Sequence, residues 1–232
     1  MGLRNILILM ALTTWLTSCF KKQNEQATEI KPDRPISFGY KCIWLTVTAD
    51  NPKDVADFLT LKNQRPTNWT QGIEEAYAEK IFISPSVDSL IFIVGINLPG
   101  LDTEDSIKAA TKLVNELSLK FGHADYFVTH RVVELHGWMK SVDGRLSRAY
   151  SYLGESGENL IVAGEPTEFE KQFNLVDTFS DAAKQDDYYD KEGLIIPNEE
   201  LVMKIAENWG VNPTTLEQRT DLKAGLGIIG TR

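Results

Sequence analysis

The stretch that decides the fold is SLIFIVG, residues 89–95, followed a few residues later by TEDSIKAATKLVNELSLKFG, residues 103–122. Leu90, Ile91, Phe92, Ile93 and Val94 are apolar on both alternating faces, the pattern of a strand in the middle of a sheet that is covered on both sides. Thr103 with Glu104 and Asp105 then provides a helix start. Ile107, Ala110, Leu113, Val114, Leu117 and Phe121 recur at the helical period, and Gly122 supplies the stop.

Upstream, Ile43, Leu45 and Val47 alternate with Cys42, Trp44 and Thr46 within Tyr40 to Ala49, which predicts a strand with two unequal faces. Asp50-Asn51-Pro52 caps a helix running to about Leu61. A loop containing Pro66 leads to a short helix over Asn68 to Tyr77. A strand at Lys80 to Ser84 then turns through Pro85-Ser86-Val87-Asp88 into the central strand, and another strand begins at Tyr126 to Thr129. The order from Tyr40 to Arg131 is therefore strand, helix, strand, strand, helix, strand. The expected fold class is α+β: a mainly antiparallel sheet with a ferredoxin-like βαββαβ core, extended by a β-hairpin and followed by C-terminal helices. Such a scaffold carries no function by itself.

The hairpin spans Val132 to Leu153. Asp143-Gly144 between alternating runs signals a two-residue type I′ turn, which fixes the register so that paired positions sum to 287. That register pairs Met139 with Arg148 and Gly137 with Tyr150 on an apolar face. Trp138 with Ala149 and His136 with Ser151 fall on the other, and any bulge is expected at Val132-Val133. Beyond it, Asn159 to Ala163 reads as a last strand, with helical pieces at Glu168 to Phe173, Asn198 to Trp209 and from Pro213. Asp181 to Gly193 reads as a loop.

The amino-terminal end carries a different signal. Arg4, the apolar run Ile6 to Leu12 and small residues lead into Leu16-Thr17-Ser18-Cys19, a run too short to span a bilayer. This segment resembles a bacterial lipoprotein signal with its lipobox. The resemblance implies a signal peptide at 1–18, cleavage before Cys19, and acyl chains on its thiol and new amine, so that the chain is anchored to the membrane of the cell envelope. Phe20 after Cys19 points to the outer membrane if the cell is Gram-negative. Residues 19–38, polar and containing Pro32 and Pro35, are expected to form a tether of at most ~60 Å. A single domain is expected over 39–232. Because lipid takes Cys19, Cys42 is left without a disulfide partner.

The chain has 24 basic and 33 acidic residues. Thirteen of the acids lie between Glu155 and Glu200 against Lys171, Lys184 and Lys191 only. That segment alone is net −10, and the remainder of the chain is close to neutral. An acidic chain without a basic face excludes phosphate-dominated nucleic-acid binding; the acidic segment reads first as a solvated surface that keeps the protein soluble, and otherwise as a surface for a basic protein partner.

The residues with chemistry to offer are sparse. His130, Glu134 and His136 would share one face of a continuous strand, and two imidazoles with a carboxylate suit zinc or non-haem iron. His130 and His136 would stand ~20 Å apart along a straight strand, so one ion would need a bend between them. With Trp138, Arg145 and Ser151 the same residues would form a binding surface. Asp186, Asp187, Asp190 and Glu192 lack the EF-hand spacing for Ca²⁺. Gly225 to Gly230 spells G-x-G-x-x-G, yet the chain ends at Arg232 with no helix to receive a pyrophosphate, so an apolar strand or packed tail is expected and no cofactor is implied. The block from His130 to Glu134 with Arg148 to Glu155 resembles one found in uncharacterised bacterial proteins. The leading expectation is a non-enzymatic, lipid-anchored binding domain, of immunity or other partner-binding type; the alternatives are a metal-dependent envelope hydrolase and a structural envelope component.

Overall fold

The computed structural model describes residues 30–232. The signal segment and Cys19 lie outside the described residues. Four helices, α1 (Pro52–Phe58), α2 (Trp69–Ala76), α3 (Glu104–Phe121) and α4 (Glu199–Trp209), pack on a mainly antiparallel sheet. Its strands are β1 (Cys42–Thr48), β2 (Lys62–Thr67), β3 (Ile81–Ile83), β4 (Leu90–Val94), β5 (His123–His130), β6 (Leu135–Val142), β7 (Arg145–Leu153), β8 (Glu158–Ala163) and, after the short parallel pair β9 (Asn174–Leu175) and β10 (Leu194–Ile195), the terminal β11 (Gly227–Thr231). The nine sheet strands run in the order β2-β11-β3-β4-β1-β5-β6-β7-β8, and every neighbouring pair in that sheet is antiparallel.

Both faces of this sheet are covered, which is why β4 is apolar throughout. Ile43, Leu45 and Val47 of β1 and Ile91 and Ile93 of β4 pack against α1 and α3 through Val55, Leu59, Leu113, Val114 and Leu117. Trp44, Phe92, Phe127 and Trp138 project from the opposite face under α2 and α4, against Trp69, Ile73, Val202 and Ile205. Helix α3 begins as its sequence demands: Thr103 Oγ1 accepts from Ser106 N at 3.2 Å while Ser106 Oγ accepts from Thr103 N at 3.0 Å, and Gly122 ends it at φ 81°.

Four expectations are corrected. Residues 30–38 are not part of a tether, because Asp33 accepts from Trp69 N at 2.6 Å and Thr70 N at 3.0 Å, and Phe38 is buried edge-on against Phe92. The Pro66 loop is an edge strand, β2, paired with β11. Its partner lies some 160 residues downstream, and Pro66 is tolerated because one side of β2 has no neighbour. The helical piece expected at Glu168 to Phe173 shortens to a single 3₁₀ turn at Glu170–Gln172.

The fourth correction is the hairpin register. Asp143 (φ 49°) and Gly144 (φ 79°) adopt the left-handed conformations of the I′ turn, and Val142 pairs with Arg145 and Ser141 with Leu146. A bulge follows at Ser147, whose Oγ donates to Lys140 O at 3.1 Å, and from Lys140 inward the pairs become Lys140 with Arg148, Trp138 with Tyr150 and His136 with Tyr152. The slip exchanges the faces of β7 relative to β6. Tyr150 therefore stacks on Trp138, centroids 4.7 Å apart, and does not lie over Gly137.

Candidate functional site

The register across the sheet sets Cys42, Thr129, His136 and Tyr152 side by side on the α4 face. His136 is fully buried; its Nε2 lies 3.2 Å from Glu134 Oε2, and burial lowers its pKa below the ordinary histidine value even against the pull of Glu134. The imidazole is neutral at physiological pH. The Cys42 thiol is pushed up to about 12 by burial, outweighing hydrogen bonds from Tyr77 and the Gly39 backbone, so it stays protonated and is a poor nucleophile.

One buried ion pair ties the next row down. Arg148 Nε donates to Glu170 Oε1 at 2.8 Å, and Trp138 Nε1 donates to the same oxygen at 2.8 Å. Thr167 N donates to Glu170 Oε2 at 2.9 Å, and Arg148 Nη1 reaches Gly164 O at 3.1 Å. The carboxylate is fully engaged, and the arrangement clamps the 164–175 segment onto β6 and β7. Sequence reading missed it, counting Glu170 with the surface acids and turning Arg148 to the other face. The readable signal was an arginine placed on the face that the predicted hairpin register itself made apolar, which calls for a buried anion.

Of the six residues expected to form a binding surface, Glu134 and His136 are brought together and the set as a whole is not. His136 and Trp138 are buried on the α4 face. Ser151 points to the opposite face, its Oγ donating to Leu101 O at 3.1 Å. Arg145 is exposed beside the hairpin turn. His130 pairs with Leu135, not with an even-numbered residue of β6, so it faces away from His136. The cause is local: residues 131–134 leave the strand as a turn, with Glu134 at φ 52°, and the turn breaks the odd–even parity on which the shared face depended. His130 and His136 cannot ligate one ion across the sheet, and among the described residues no three His, Cys, Asp or Glu side chains converge on a metal position.

No family model, curated protein or solved structure matches this chain. What the chain can do must therefore be argued from its surface.

The most distinctive surface is the acidic segment. Ten of the thirteen carboxylates between Glu155 and Glu200 are exposed; Glu170 is buried, and Asp177 and Glu199 are half-buried. Lys171 pairs with Glu168 and Lys184 with Asp181, both at 2.6 Å, while Lys191 lies over the Tyr188 ring. Glu155, Glu158, Glu165, Asp186, Asp187, Asp190 and Glu192 have no cationic partner among the described residues. Two large aromatics stand out among them, Phe179 at 61% and Tyr189 at 54% exposure. The segment is held in place by Tyr188, buried, whose hydroxyl accepts from Asp177 N at 2.7 Å, and by Tyr189, whose hydroxyl donates to Gly157 O at 2.9 Å. An acidic field with aromatic anchors on a pinned backbone suits a protein partner of opposite charge.

Proposed function

We propose that this protein is a membrane-anchored envelope lipoprotein whose domain binds a basic protein partner through the face built by residues 155–200, without chemistry of its own. The observation that carries the reading is the coincidence of unpaired, exposed carboxylates with exposed Phe179 and Tyr189 on a backbone fixed by Tyr188. Aromatic side chains supply contact area at low entropic cost, and the surrounding charge speeds encounter with a basic surface. An immunity-type role, shielding the cell from a basic toxin, is one version of this reading. The protonated Cys42 thiol and the neutral, buried His136 favour binding over nucleophilic or acid–base chemistry.

The anchor is proposed on Leu16-Thr17-Ser18-Cys19, and it places the domain in the envelope, at the outer membrane in a Gram-negative cell. The core that carries the acidic face is best described as ferredoxin-like: β5-β1-β4-β3 are neighbours in that order, with α1 and α3 against one face. Two experiments test the proposal. Labelling of cells with a fatty-acid probe should mark the wild-type chain and not Cys19→Ser; equal labelling of both ends the anchor reading. Capture from solubilised envelopes should recover a basic protein at low ionic strength and lose it as salt rises, whereas salt-insensitive capture or none at all ends the electrostatic reading.

A further inference from the structure

A second surface feature lies outside the acidic face, at the end of the sheet where β1 begins and β5 ends. There the loop between β4 and α3 borders a cleft of about 390 Å³, within the size range of small-molecule sites. Ile43, Leu98, Val128 and Leu135 form its apolar floor, all buried with only a small residual exposure, and Ile96 forms an exposed wall. Lys41, Asp102 and His130 also line it.

All three are exposed, and among the described residues none of them pairs with an opposite charge, so each is free to meet a ligand. Asp102 is held by Ser106 Oγ, which donates to its Oδ1 at 2.9 Å. Lys41 sits in the left-handed region at φ 54°, and its N–H donates to Thr129 Oγ1 at 3.2 Å. The cleft floor is anchored by Tyr126, fully buried, whose hydroxyl donates to Pro99 O at 2.7 Å and pins the loop that makes the far wall.

An apolar floor flanked by an unpaired ammonium and an unpaired carboxylate is complementary to a zwitterion with an apolar body. We infer that this cleft binds an apolar amino acid or dipeptide, its carboxylate toward Lys41 and His130, its ammonium toward Asp102, and its side chains on Ile43, Leu98, Val128 and Leu135. None of the residues that line the cleft belongs to the 155–200 segment.

The test uses L-leucyl-L-leucine and its doubly blocked form, N-acetyl-L-leucyl-L-leucine amide, titrated into the full chain by calorimetry. The free dipeptide is expected to bind saturably, and Lys41→Met and Asp102→Asn are each expected to weaken it about tenfold or more, the loss typical of a charged hydrogen bond. Ile96→Glu at the exposed wall should weaken it as well. Asp186→Asn on the acidic face should leave it unchanged, which separates failure here from failure of the partner-binding reading. Absence of saturable binding, or equal binding of the blocked dipeptide, overturns the inference.

Discussion

Glu170 and Arg148 show how much a single buried charge can demand of its neighbours. Removing one member leaves the other uncompensated in the core, so Glu170→Ala is expected to destabilise the fold by about 3–5 kcal/mol in urea unfolding. The double variant Glu170→Leu with Arg148→Met should recover much of that loss; a double variant as unstable as the single one would contradict the account of the pair. His136 sets a pH dependence at the same scale. Its folded pKa lies below the ordinary value of 6.5, so the unfolded chain takes up a proton that the folded chain refuses. Stability is therefore lost as pH falls from about 6.5 toward the folded value, and His136→Gln should flatten the slope in that window when unfolding is measured as a function of pH. Cys42, with its thiol held up at about 12, should resist alkylation in the native protein and react once the chain is unfolded. The types of these residues were legible in the sequence and their directions were not. A four-residue turn at 131–134 and one bulge residue, Ser147, each reset the alternation, and neither carries a glycine or proline to announce it.

At the scale of elements, local chemistry was legible where the signal and its consequence lie within a few residues. The Thr103 cap, the Gly122 stop, the Asn51-Pro52 start and the Asp143-Gly144 turn each appear where their residues demand. Gly144 stands at φ 79°, and a Cβ there would press on Leu119 at 3.2 Å, so Gly144→Ala is expected to cost about 1–2 kcal/mol in equilibrium unfolding. An unchanged stability would remove the case for the I′ turn. The unreadable elements are those whose partners are remote: β2 has no apolar alternation and exists because β11 lies beside it. The glycines there answer to packing, since a Cβ on Gly227 would come within 2.2 Å of Ile83 O and 2.7 Å of the Phe82 ring. Most of the G-x-G-x-x-G spelling thus falls on a strand wedged between two others.

For the whole molecule, a sheet covered on both faces sends its spare charge outward, and most of it gathers on the side closed by residues 155–200. The concentration of acids there was legible from composition. That Glu170 would leave the set for the core, and that Phe179 and Tyr189 would remain outside it, was not, because both depend on how the segment folds back over β7 and β8. The central claim is that this face binds a basic partner. The most direct measurement compares the wild-type chain with the variant Phe179→Ala, Asp186→Asn, Asp187→Asn, Asp190→Asn, each captured from the same solubilised envelopes at low salt. These side chains are exposed, so both proteins are expected to unfold at the same denaturant concentration. The account predicts that a basic protein recovered with the wild type is lost with the variant; equal recovery with both would contradict it.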